Sequence, residues 1–220
     1  MNNETTTGLG ELLRAPGDVM GFADGKARCW RLAAFLAFVT AAGCALFGFA
    51  VGSFVSLEVA ALDAAKMVGI AAFSYALCFP TLYVFATISG SKLSAARLAV
   101  LGLVCTATLG SLLAAQSPIL WLFSVSTENA AFIVVLSCVL AALSLGFVAR
   151  PIAAAAKREI VANRAGLYVW LVVFAVVALQ TVTLVRPMLA PANTPRTPEG
   201  KCFFLMHFGD SVGLSAASMQ

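Results

Sequence analysis

Residues 129–149 read NAAFIVVLSCVLAALSLGFVA, and none of these 21 side chains carries a formal charge. An α-helix rises about 1.5 Å per residue, so the run reaches roughly 30 Å, the thickness of a bilayer's hydrocarbon core. Its apolar residues fall on both parities, as in Ile133-Val134-Val135-Leu136, which excludes the in-out alternation of a membrane β-strand. In lipid a helix satisfies every backbone N–H and C=O internally. The stretch therefore predicts a transmembrane helix.

Working outward, residues 32–57, 67–91, 98–127 and 165–185 also lack Asp, Glu, Lys, Arg and His. A chain that is 61% hydrophobic and 11% charged cannot hide that much apolar surface inside one water-soluble domain. The expected fold is an all-α integral membrane bundle of five helices, over about 32–56, 67–88, 98–116, 129–149 and 166–185. Around this membrane domain (32–187) stand an N-terminal arm (1–31) and a Pro-rich tail with a short apolar segment (188–220). No short apolar core with a small-residue cleavage site precedes the first span, so a removed signal peptide is not expected.

The 98–127 run exceeds one span and contains Pro118. We read 98–116 as its helix and 117–123, which includes Trp121, as an interfacial aromatic turn. Residues 57–66 carry Glu58, Asp63 and Lys66, which a helical wheel places on one arc of about 140°. They predict an external amphipathic extension of the second span.

When the loops are assigned alternately to two sides, ten Lys and Arg fall with the N-terminus. Only Lys66, Arg186, Arg196 and Lys201 fall on the other side. The positive-inside rule then places the N-terminus in the cytoplasm and the C-terminus outside, as expected for a multi-pass protein of the bacterial inner membrane. The net charge of +4 thus reads as topology, and no nucleic-acid partner is expected. Arg150, Lys157, Arg158 and Arg164 follow the fourth span as a basic stretch suited to anionic headgroups.

Few groups here could perform chemistry. Cys29, Cys44, Cys78, Cys105, Cys138 and Cys202 are scattered, with neither disulfide-framework nor zinc spacing. His207, the single histidine, has only Cys202 and Asp210 near it. No metal or cofactor is expected, and no hydrolase or nucleotide-binding motif occurs. The chain is not expected to be an enzyme.

Two features remain. In the first span Thr40, Cys44, Gly48, Gly52 and Ser56 recur every four residues, and in the third Gly102, Thr106, Gly110 and Ala114 do the same. Small residues at this spacing let membrane helices pack closely, within the bundle or between copies. The second span is the most polar, with Ser74, Thr81 and Tyr83 around Pro80. A proline there removes a backbone hydrogen bond and bends the helix. A bent structural helix is one outcome; a pathway lined by Ser74, Thr81, Tyr83 and Gln180 of the fifth span is the other. No second span is expected to hold an internal proline. Arg186-Pro187 marks the exit of the tail from the membrane.

The patches Cys78-Phe79-Pro80-Thr81-Leu82-Tyr83-Val84-Phe85 with Gly90-Ser91-Lys92-Leu93-Ser94, and Leu184-Val185-Arg186-Pro187 with Pro191, resemble those of a group of small bacterial polytopic membrane proteins. The five-span layout is similar to that of the Yip1 family of membrane-trafficking proteins. That resemblance implies a membrane organiser working through protein partners. The expected partners are the lipid bilayer and other membrane proteins or further copies of the chain. The expected function is that of a non-enzymatic scaffold, assembly or regulatory subunit; the alternative is a small transporter or channel subunit with its pathway at Pro80.

Overall fold

The computed structural model describes residues 26–88, 90, 94–127, 129–157 and 165–184. They form five helices: α1 (Lys26–Gly52), α2 (Leu57–Ile88), α3 (Ala95–Ser126), α4 (Ala130–Lys157) and α5 (Ala165–Leu184). Each is long and apolar enough to cross a membrane. This is the make-up of a multi-pass membrane protein.

Local chemistry fixes the helix ends. Ser56 precedes α2, and its hydroxyl accepts the Val59 N–H at 3.2 Å, one of the donors a helix start leaves unpaired. Asn129 does the same for α4, accepting from the Phe132 N–H at 3.3 Å. Beyond α2 the chain turns at Gly90, whose φ of 75° suits a residue without Cβ. Its N–H donates back to the Thr87 carbonyl at 3.0 Å.

One boundary differs from the sequence expectation. The helix expected to stop at 116 continues through Pro118 to Ser126. Leu113, Ser117, Leu120 and Ser124 form one buried face across the proline, and Leu120 is fully enclosed with Phe47 and Ile133. That burial offsets the bond Pro118 cannot make. Pro151 likewise lies inside α4, beside the enclosed Ile152, so Pro80 is not the only helical proline. Residues 57–66 extend the second span as expected, but the polar arc is split. They form the first turns of α2, with Val59, Ala60 and Asp63 buried while Glu58 stays exposed.

Consecutive helices alternate in direction, so α1 and α3 run parallel, with Leu36 near Val104, Gly43 at Gly110 and Ser53 at Ser124. α1 lies chiefly against α3 and α2, α5 against α2, and α4 against α3 with a slighter contact to α5. Among the described residues, three clusters make the core. Near the Gly52 end, Cys44, Phe47, Leu113, Leu120, Ile133 and Leu140 join α1, α3 and α4. Toward the Lys26 end, Leu36 and Val39 meet Val100, Val104 and Ala107 between α1 and α3. The third cluster joins α2, α3, α4 and α5 around Leu82, Leu101, Ile152 and Trp170.

Candidate functional site

The helix crossings depend on missing side chains. A Cβ added at Gly48 would lie 2.6 Å from the Asp63 carbonyl oxygen of α2, and one at Gly52 would lie 2.6 Å from Ala60 Cα. These two glycines seat α2 on α1. Gly102 serves α2 from the other side, with Tyr75 and Leu82 each 3.0 Å from the position of its absent Cβ. Gly110 faces α1, 2.9 Å from Thr40 Cα by the same construction. Cys44 is buried in the core. The predicted small residues are thus used between helices of one bundle.

Sequence reasoning missed Gly43. Its absent Cβ would fall 2.9 Å from Gly110 Cα and still closer to the Gly110 carbonyl. Gly43 sits one position before Cys44, about 100° from the four-residue stripe, which hid it. α1 therefore carries two small faces. Gly43 serves α3, whereas Gly48 and Gly52 serve α2.

Polar side chains fasten the same crossings. Ser53 and Ser124 hydroxyls meet at 2.9 Å between α1 and α3. The Tyr75 hydroxyl donates to the Ala99 carbonyl at 2.8 Å between α2 and α3. Ser144 donates to Gln116 Oε1 at 3.1 Å between α4 and α3. Most of these hydroxyls also bond a carbonyl of their own helix, as Ser144 does with Leu140 at 3.0 Å.

Around Pro80 the predicted residues disperse. Ser74 is buried and approaches Thr181 of α5 at 3.4 Å. Thr81 turns back on its own helix, donating to the Cys78 carbonyl at 2.7 Å. Pro80 and Tyr83 are exposed on the bundle surface, and Gln180 is half-buried. The Cys78 carbonyl also accepts the Trp170 indole N–H at 2.9 Å. Trp170 is enclosed, stacks at 5.6 Å on Phe174, and closes the α2–α5 seam together with Cys78 and Leu82. Its signal was present in the sequence: a tryptophan well inside a span must find an acceptor for its N–H, and a proline-bent helix offers carbonyls.

Asp63 is fully buried and accepts from Lys66 Nζ at 2.8 Å. The pair lies in the first third of α2, where α2 rests on Gly48. Among the described residues, no group of three or more His, Cys, Asp or Glu is placed to hold a metal ion. Arg186, Pro187, the tail and His207 lie outside the described residues, as do the arm before residue 26 and the side chain of Lys157. No known family, curated protein or solved structure matches the chain.

Proposed function

We propose that this chain is a non-enzymatic scaffold, assembly or regulatory subunit of the bacterial inner membrane that works by holding protein partners. The placement of α4 carries the proposal. α4 buries a narrow stripe, including Ile133, Leu140, Ser144 and Val148, and turns Val135, Val139, Leu143 and Phe147 outward. Amid those large side chains, a Cβ added at Gly146 would meet nothing within 4 Å. A notch of this kind receives a knob from another membrane helix, because association in lipid rests on close packing.

Purification in mild detergent after photo-cross-linking from Leu143 is expected to bring down a stoichiometric partner or a second copy. A solitary monomer with no cross-linked neighbour overturns the proposal. A pathway at Pro80 is the weaker alternative, because the α2–α5 seam would have to expel Trp170 and Phe174 to open.

A further inference from the structure

α1 and α2 do not stay together along their length. They touch backbone to backbone at Gly48 and Gly52, but toward the Lys26 end a groove of about 360 Å³ opens between them. Ala33, Ala34, Ala37 and Ala41 of α1 form one wall, and Ala71 and Ala72 of α2 form the other. The floor is Leu103 and Thr106 of α3. The volume lies at the lower end of the roughly 300–1,000 Å³ typical of ligand sites.

The chemistry of the walls selects the occupant. The polar groups that reach the groove are already engaged: Tyr75 donates to Ala99, Thr40 to the Leu36 carbonyl at 2.9 Å, and Thr106 to the Leu103 carbonyl at 3.1 Å. Water or a polar solute would find little left to bond, whereas hydrocarbon loses nothing there. At the Lys26 end the groove is bounded by Trp30, largely exposed and of the residue type that settles at the headgroup level. Next to it stands the exposed Arg31. Apolar walls with a cation, Arg31, at one mouth are complementary to an amphiphile with an anionic head.

We infer that the α1–α2 groove holds one acyl chain of an anionic glycerophospholipid, with its phosphate beside Arg31. The occupant comes from the leaflet facing the Lys26 end.

The test uses the full-length chain, purified in mild detergent and titrated with phosphatidylglycerol or phosphatidylcholine under native mass spectrometry. The wild type is expected to retain one phosphatidylglycerol in preference to phosphatidylcholine. Ala37→Trp fills the groove and is expected to lower retention about tenfold, as for some two methylenes left unburied. Arg31→Gln is expected to weaken the preference for the anionic lipid, and Val172→Leu, at an exposed position of α5, to change neither. Undiminished retention in Ala37→Trp overturns the inference, as does a protein or peptide found in place of lipid.

Should Ala37→Trp fail to fold, the wild type labelled with a photoactivatable acyl phosphatidylglycerol decides. Adducts confined to residues 30–41 and 68–75 support the groove. Adducts spread evenly over α4 and α5 overturn it.

Discussion

Gly43→Ala adds one methyl group where α1 crosses α3. The new Cβ would lie 2.9 Å from Gly110 Cα and nearer its carbonyl, whereas ordinary contact starts at 3.4 Å. The helices must therefore part by more than 0.5 Å at this point. Both obstructing groups are backbone, so no rotamer change relieves the clash. Overpacking of this kind costs about 1–3 kcal/mol, and a backbone obstacle puts it near 3. The separation also loosens Leu36 and Val39 from Val104 and Ala107 beside it. Alanine's better helix propensity returns about 1 kcal/mol, leaving a net loss of about 2 kcal/mol, or roughly thirtyfold in the folding equilibrium. Gly69→Ala supplies the comparison, since its Cβ would meet nothing within 4 Å. That variant is expected to gain about 0.5–1 kcal/mol from propensity alone. Both are measured by unfolding in mixed micelles with increasing sodium dodecyl sulfate, followed by circular dichroism and the fluorescence of the enclosed Trp170. Equal midpoints, or a Gly43→Ala midpoint above wild type, refute the backbone contact between α1 and α3.

Trp170→Phe keeps a ring in the α2–α5 seam but removes the donor to Cys78; a loss of about 1 kcal/mol is expected in the same unfolding measurement, against about 3–5 kcal/mol for Trp170→Ala. Lys66→Met leaves the buried Asp63 without its ammonium partner, and a loss on the order of 3 kcal/mol at neutral pH is expected, with a shift below 0.5 kcal/mol counting against a structural ion pair. Cys44, Cys78 and Cys105 are buried, so a membrane-permeant maleimide is expected to modify them only after unfolding, which peptide mass spectrometry reads directly. The excess of cations on the N-terminal side predicts a fluorescent protein that folds in the cytoplasm at the N-terminus, and active alkaline phosphatase fused after Gln220. The reverse pattern would invert the orientation.

The five spans were legible because a bilayer imposes one demand, some twenty apolar residues in a row, which a sequence states directly. Pro118 and Pro151 misled because a local rule was applied where packing decides. Each proline removes one hydrogen bond, but Leu120 and Ile152 beside them are enclosed by neighbouring helices. Asp63 misled for a related reason. A wheel places Glu58, Asp63 and Lys66 on one arc, yet burial is set by where Gly48 and Gly52 admit the neighbouring helix. The polar residues near Pro80 were visible as a set, but their partners were not. Thr81 bonds its own helix, Tyr83 faces outward, and the residue that fills the seam, Trp170, comes from a helix 92 positions away.

What small residues do in this chain depends on which small residue it is. In the second half of α1, Gly43, Gly48 and Gly52 bring the backbones of α2 and α3 into contact, and two of the bundle's tightest crossings follow. Between residues 33 and 41 the small residues lining the groove are mainly alanines. Their methyl groups are too short to bridge to α2, so the wall of Ala33, Ala37 and Ala41 faces Ala71 and Ala72 across a gap. A leucine at Ala37 or Ala72 would fill much of that gap with one side chain and gain the burial of its own carbons. The groove thus depends on side-chain volume withheld from both walls. Gly48 and Gly52, by fixing the two helices at the opposite end, hold that gap at a constant width and make it a site with a shape.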